Sequence, residues 1–149
     1  MKPSKNCIEL IKEFEGFSDR PYLCPAKKWT IGYGNTFYPN GLAVKQTDPQ
    51  ITRERAIQLL TVMVDRFAEQ VHKLIKVPIT QNQFDALVSL AYNIGIGNFR
   101  NSTLLRKLNL RENNAVLTGQ INRWNRANGQ IMAGLTRRRK AEAQLFNKL

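Results

Sequence analysis

Histidine and cysteine are scarce in this chain. It has one histidine, His72, and two cysteines, Cys7 and Cys24, among 149 residues. The cysteines have no CxxC spacing and only one imidazole to help them, which argues against a zinc site. No metal and no cofactor are expected. His72 lies in an apolar helical pattern with no nucleophile or second histidine nearby, so it reads as a surface or partly packed residue rather than a catalyst. Nothing in the pattern requires the cysteines to pair, and both are expected to be reduced thiols in a cytoplasm. A Cys7–Cys24 bridge is conceivable only after release into an oxidising compartment, where it would block Cys24.

Long apolar runs are also missing. No stretch approaches the roughly 20 apolar residues that span a bilayer. The first segment, MKPSKNCIELIKEFEG, has Lys5, Glu9, Lys12 and Glu13 where a signal peptide needs an apolar core, so neither an export signal nor a membrane anchor is expected. Internal repeats and low-complexity segments are absent. Carboxylates are few: 11 Asp and Glu face 23 Lys and Arg, a formal net charge of +12. That surplus favours a polyanionic partner, either nucleic acid or an acidic bacterial envelope, and charge alone does not choose between them.

With 42% apolar residues, the chain is long enough to bury one core. Ser4 can cap a helix over 5–15, with Cys7, Ile8, Leu10, Ile11 and Phe14 on its apolar face and Gly16 at its end. Between 17 and 50 no helical period survives. Tyr22 to Cys24, Trp29 to Tyr33 and Leu42 to Val44 read as short strands, broken by Pro25, Gly32, Gly34 and the Pro39-Asn40-Gly41 turn. Thr52 opens a long helix over 53–76 whose stripe runs Ala56, Leu59, Leu60, Met63, Phe67, Val71, Leu74, Ile75 and which Pro78 stops. Thr80 and Gln83 form a capping-box pattern for a helix ending near Gly95. Shorter helices follow after Ser102 and after Asn113 or Asn114, then an Ala127-Asn128-Gly129 turn and a last helix from about Leu135 to Asn147. The expected class is α+β: a single domain over 1–149, with a small antiparallel β lobe (17–50), a linking helix (53–76) and a helical lobe (80–149) packed with helix 4–15.

The stretch most charged with chemistry is Glu15 to Asn35, EGFSDRPYLCPAKKWTIGYGN. Glu15 falls in the last turn of the first helix, where the negative end of the helix dipole disfavours an anion and favours the proton that a general acid must hold. A solvated glutamate at a helix end is the commoner meaning of such a residue. What raises Glu15 above it is the pattern downstream, in which Cys24 and Thr30 follow at fixed spacing. Glycoside hydrolysis needs an acid for the leaving oxygen and a second group across the sugar, and a helix end facing a β hairpin can supply both.

The spacing Glu15, eight residues, Cys24, five residues, Thr30 resembles the phage-type lysozymes, glycoside hydrolase family 24. Tyr22, Gly32 and Gly34 fall at the family's positions, as do Ala86-Leu87, Tyr92-Asn93-Ile94-Gly95, Trp124, Gly134-Leu135, Arg138-Arg139 and Glu142. The similarity is collinear over most of the chain. It implies a lysozyme-like fold with a cleft between the two lobes, and an endolysin that hydrolyses the β-1,4 bond between N-acetylmuramic acid and N-acetylglucosamine in peptidoglycan. It also implies roles. Glu15 is the general acid. Cys24 stands where most members have an Asp that positions or activates water, and Thr30 hydrogen-bonds that water. Gly32 and Gly34 let the backbone approach the sugar, Tyr92 and Asn93 line the sugar site, and Arg138 orients Glu15 while opposing the helix dipole.

There are two departures from the family pattern, Asn35 where many members have His, and Cys24 itself. A free thiol is mostly neutral near pH 7, and a neighbouring cation such as Lys27 or Lys28 would favour its thiolate. The plain alternative for Cys24 is a small apolar strand residue. Asp19 is a rival second carboxylate, although its place beside Arg20-Pro21 fits turn chemistry better.

Two other functions are open to this sequence. A lytic transglycosylase would use Glu15 alone and leave an anhydro-sugar end. A basic helical protein binding nucleic acid would use the Arg137-Arg138-Arg139-Lys140 run, without sequence preference and with steep salt dependence. In the lysozyme reading the partners are peptidoglycan and the anionic envelope, with no specific nucleic acid. The protein is then a monomer that waits in the host cytoplasm until a separate membrane-permeabilising protein gives it the wall.

Overall fold

Most helices of this chain start where a short polar side chain takes a free backbone amide. Ser4 accepts from the amide of Asn6, Thr52 from Arg55, Ser102 from Leu105 and Asn113 from Val116. Thr80 and Gln83 form a complete capping box. Such a cap stabilises a helix by about 1 kcal/mol. The computed structural model describes residues 1–149. Its elements are α1 (Lys5–Glu15), β1 (Ser18–Leu23), β2 (Trp29–Gly32), α2 (Arg53–Leu74), α3 (Gln81–Ile94), α4 (Ile96–Arg100), α5 (Thr103–Asn109), α6 (Asn114–Asn122), β3 (Arg126–Ala127), β4 (Gln130–Ile131) and α7 (Ala133–Asn147).

The core is organised around α3. Every residue from Phe84 to Ala91 is buried, including Asp85 and Ser89. A helix enclosed on all sides needs neighbours on all sides, and α1, α2, α4 and α7 supply them. Buried Asp85 is satisfied by the amide of Ser4 at 2.9 Å, by the Ser4 hydroxyl, and by Gln81 Nε2 at 2.9 Å. This fixes the start of α1 against α3, and therefore the position of Glu15 at the other end of α1.

The buried stripe of α2 is Ala56, Leu59, Leu60, Val64, Ala68 and Val71. It differs from the expected stripe in its middle. The small residues Val64 and Ala68 face inward, and Phe67 moves to the flank, where its ring meets Tyr92 at 5.3 Å. Close helix packing favours the smaller side chains at the contact.

The β lobe departs from expectation in two places. The first strand begins earlier, at Ser18, and ends at Leu23, so Cys24 lies outside it. Tyr22 pairs with Thr30 and Leu23 with Trp29. Cys24 opens the turn: Lys27 N–H donates to its carbonyl at 2.8 Å, and its own amide donates to Lys28 at 3.0 Å. Pro25 presets the second position of this turn, and Lys27 takes a left-handed φ of 61° that lets the strands re-pair. The expected strand over 42–44 is reduced to one isolated bridge, Phe37 to Ala43. Tyr38 N–H donates to the Leu42 carbonyl and Val44 N–H to the Thr36 carbonyl, both at 2.9 Å, so the chain folds back on itself around Pro39-Asn40-Gly41 without forming a continuous ladder. Ile31, Val44 and Leu59 form a small second core that seats this lobe on α2.

One helix was not legible in sequence: α4 follows α3 after the single residue Gly95, whose φ of 91° redirects the chain. The Asn128-Gly129 pair, with φ of 53° and 77°, makes the two-residue turn of the β3–β4 hairpin.

Candidate active site

Glu15 is the last residue of α1, and Gly16 ends the helix with φ 70°. The Glu15 side chain is 19% exposed and pairs with Arg138 Nη1, whose side chain is 4% exposed. Arg138 is held on its other edges. Its Nη2 donates to the carbonyl of Ser89 at 3.2 Å, and its Nε to Glu142 Oε2 at 3.3 Å. Glu142 is fully buried. It accepts from Ser89 Oγ at 2.6 Å and from Arg139 Nη1 at 2.7 Å. Arg139, also fully buried, reaches Asn93 Oδ1 with Nη2. A chain of charge thus runs Glu15, Arg138, Glu142, Arg139, through the space between α1, α3 and α7. Burial pushes the Glu142 carboxyl above the usual carboxylate range, although Arg139, Arg138 and Ser89 all pull it back. Burial likewise pushes Arg139 down from the guanidinium's ordinary value, against the pull of Glu142.

The Gly-Tyr-Gly turn comes up beneath Glu15. Ile31 and Asn35 exchange both backbone hydrogen bonds, at 2.9 and 3.0 Å, and pinch the loop between them. Asn35 is buried and donates to the carbonyl of Leu59 at 3.2 Å, so the residue that departs from the family pattern is a structural tie to α2. Gly34, at φ 82°, has no room for a side chain, since a Cβ there would overlap the Glu15 carboxylate. Gly32 faces elsewhere. A Cβ on it would meet Ala56 Cβ at 3.3 Å, so its smallness serves the packing of β2 on α2.

Tyr92 ties the helical lobe to this turn. Its hydroxyl donates to the carbonyl of Tyr33 at 3.0 Å. Burial, and then the charge of Glu15, hold the phenol well above its usual range, so it remains a neutral donor. Asn93, beside it, is exposed while its Oδ1 is occupied by Arg139. Thr30 is buried and donates to the carbonyl of Lys28 at 3.0 Å. Asp19 accepts from Gln50, and its carbonyl accepts from Ile51 N–H at 2.9 Å, so it secures the connection from β1 to α2.

Both cysteines are free thiols. Burial is the largest single influence on the Cys24 thiol and raises it, but hydrogen bonds to the Lys28 backbone, the Thr30 side chain and the Ala26 backbone together outweigh it, and the net shift is downward. These donors are what the hairpin turn offers to any acceptor at its first corner. Tyr22 faces both Glu15 and Cys24: burial, then the charge of Glu15, then that of Cys24 push its phenol up. Cys7 is the opposite case. It is fully buried, and burial with the nearby charges of Asp85 and Glu142 drives its thiol far above the ordinary range.

Two predictions arise here. Iodoacetamide under native conditions is expected to label Cys24 alone, and faster than free cysteine near pH 7, because a lowered thiol carries more thiolate. In guanidinium both cysteines label, as intact mass counts them. Gly34→Ala is expected to lose about 10-fold or more in activity by displacing Glu15. Its left-handed backbone adds roughly 1–2 kcal/mol of destabilisation, read as a lower Tm.

The sequence placed Arg138 beside Glu15 correctly, but it did not single out Ser89, Arg139 or Glu142 as site residues. Their signal was present: Glu142 stands at i+4 from Arg138 and i+3 from Arg139. Ser89 is a polar residue in the buried middle of α3.

Comparison with known proteins is consistent along the whole chain. The family model described as phage lysozyme matches residues 12–142. An endolysin of Bacillus phage PZA is 43% identical over 99% of this chain, which spans 55% of that protein's length. An endolysin from Escherichia coli O157:H7 phage FAHEc1 superposes with a TM-score of 0.89 at 38% identity, covering 99% of this chain and 94% of that one. The muramidase domain of SpmX from Asticaccaulis excentricus superposes with a TM-score of 0.87 at 36% identity, covering 99% of both chains.

Proposed function

Because the chain belongs to the phage lysozyme family, we propose that it is an endolysin that hydrolyses the β-1,4 bond between N-acetylmuramic acid and N-acetylglucosamine in peptidoglycan. The observation that carries this reading is Glu15: a carboxylate at a helix end, mostly buried, gripped by Arg138 and resting on the Gly34 backbone, with the hairpin of Cys24 and Thr30 next in the chain. Glu15 donates its proton to the leaving oxygen. Water attacks the anomeric carbon from the opposite face, and its proton passes to the Cys24 thiolate, which the turn amides and Thr30 favour. Solvent then takes that proton from Cys24 and returns one to Glu15, which restores both groups. Such an inverting course needs space for water between the two groups. Asn93 and Tyr92 border the sugar site in this proposal. The role of Gly32 in approaching the sugar is set aside in favour of helix packing, since its Cβ direction meets Ala56.

The helical lobe supports an anionic envelope as the wider partner. Arg100, Arg106, Arg111, Arg123, Arg126, Arg137 and Lys140 are exposed. The two carboxylates among residues 100–149 do not offset them, because Glu112 pairs with Lys107 at 3.1 Å and Glu142 is buried. The run Arg137-Arg138-Arg139-Lys140 is less available to nucleic acid than its sequence implies, because Arg138 and Arg139 are buried in the site. No helix is long and apolar enough to cross a membrane. The proposal extends to a monomer that reaches the wall with the help of a separate membrane-permeabilising protein, as the family resemblance implies.

One observation keeps a lytic transglycosylase as the second reading: Asp19, the rival second carboxylate, is engaged with Gln50, which leaves only the Cys24 thiol at the position the family resemblance gives to the second group. Mass spectrometry of fragments from purified peptidoglycan separates the two. Reducing muramic acid ends are expected. Anhydro ends would move the protein to the transglycosylases, and no fragments under reducing conditions would remove the enzyme reading.

A further inference from the structure

Glu142 is fully buried, yet both cations of the site depend on it. The geometry points to Glu142 as a positioning residue for the reaction, one buried carboxylate that sets Arg138 against Glu15 and Arg139 against Asn93. The inference rests on the hydrolase reading above and goes further into the same site.

Each oxygen of Glu142 has its own cation. Oε2 takes Arg138 Nε at 3.3 Å together with Ser89 Oγ at 2.6 Å, and Oε1 takes Arg139 Nη1 at 2.7 Å. With Nε and Nη2 of Arg138 committed to Glu142 and the Ser89 carbonyl, the planar guanidinium has one orientation left, and it aims Nη1 at Glu15. Arg139 in turn offers Nη2 to Asn93. A carboxylate bound at both oxygens inside a packed core does not rotate, so its constraint is transmitted to both walls of the site.

Charge makes the same argument. Glu15 and Glu142 balance Arg138 and Arg139, and the set is neutral when all four are ionised. The groups facing Glu142 from the helices packed on α7 are Cys7 on α1 and Ser89 on α3. Helix α6, over Asn114–Asn122, contributes no titratable side chain. Those facing Glu15 are Arg138, Tyr22 on β1 and Tyr92 on α3, and the charge of Arg139 also reaches it. Removing the charge of Glu142 therefore leaves one uncompensated cation beside Glu15. An added positive field favours the Glu15 anion, so the acid loses its proton at lower pH. The alkaline limb of kcat/KM must then move down.

The test compares the wild type with E142Q, E142Q/R139Q and Ser89→Ala. For E142Q we expect kcat about 10-fold lower or more, within the roughly 10²-fold that 1 Å of misplacement costs. We also expect an alkaline limb displaced downward by up to about one pH unit. E142Q/R139Q restores neutrality and is expected to return the limb toward the wild-type position while kcat stays low. A role confined to stability would lower Tm and leave the limb in place. The 13C titration of the Glu15 carboxyl reads the same displacement with no substrate present, so it answers even if the wild type releases no fragments and the hydrolase reading falls. Should E142Q fail to fold, E142Q/R139Q and Ser89→Ala carry the kinetic comparison. A folded E142Q with wild-type kcat, or with an unmoved Glu15 titration, overturns the proposal.

Discussion

Glu15→Gln is expected to lower the rate of glycan cleavage by about 10²–10⁴-fold, the usual worth of a positioned general acid. The substitution is close to isosteric. Gln keeps an oxygen for Arg138, so the ion pair becomes a charged hydrogen bond and the helix end is preserved. What it lacks is a proton to give to the leaving oxygen. The loss should fall on kcat and leave KM within a few fold, because the substituted side chain still lines the same surface. Fragment release from purified peptidoglycan, followed by mass spectrometry, measures it. A Glu15→Gln protein with wild-type turnover would remove Glu15 from the mechanism, and the helix-end carboxylate would return to being a plain partner of Arg138.

Arg138→Met is expected to damage both stability and activity. Arg138 is 3% exposed and bridges Glu15, Glu142 and the carbonyl of Ser89. Met has a similar length but no donor. Removing one partner from a buried ionic set leaves the others unpaired and costs about 3–5 kcal/mol. In a chain of this size each kcal/mol moves Tm by roughly 2–4 °C. A fall of roughly 6–20 °C follows, which thermal unfolding monitored by circular dichroism would register. Activity should fall even where the protein remains folded, because Glu15 loses the cation that sets its rotamer. An unchanged Tm would mean that water replaces the guanidinium at no cost, and that the charge chain is not a structural unit.

These effects are larger than those of the hairpin residues, and the reason is where each group is held. Cys24 sits at the corner of a turn, half exposed, and its donors are mostly backbone amides that any acceptor at that corner would find. Arg138 is held by the Glu15 side chain of α1, the Ser89 carbonyl of α3 and Glu142 one turn along its own helix. The first arrangement is local and survives substitution. The second depends on distant parts of the chain meeting, and has no local substitute.

The same contrast separates what the sequence by itself determined from what only the tertiary structure decided. Helix starts at Ser4, Thr52, Thr80, Ser102 and Asn113 were legible because a cap acts over two or three residues. So were the stop at Gly16 and the turn at Asn128-Gly129, where the backbone takes a positive φ. The spacing of Glu15, Cys24 and Thr30 was legible as a family pattern, and it placed a helix end beside a hairpin. Helix α4 was missed because it is one turn long and follows Gly95 without a side-chain cap. The inward face of α2 was misjudged at Met63 and Phe67 because periodicity identifies an apolar side without saying which of its residues a neighbouring helix can approach. Arg138 came to Glu15, 123 positions away, only through the family resemblance, and no local pattern announced the burial of the pair or the part of Glu142 and Ser89 in it. The cations Arg138 and Arg139 read in sequence as half of a basic run. Only the packing of α1, α3 and α7 turned them inward, because Glu15, the buried carboxylate Glu142, the carbonyl of Ser89 and Asn93 take there most of the hydrogen bonds that water would otherwise take at the surface, with Arg139 Nε alone left unpartnered.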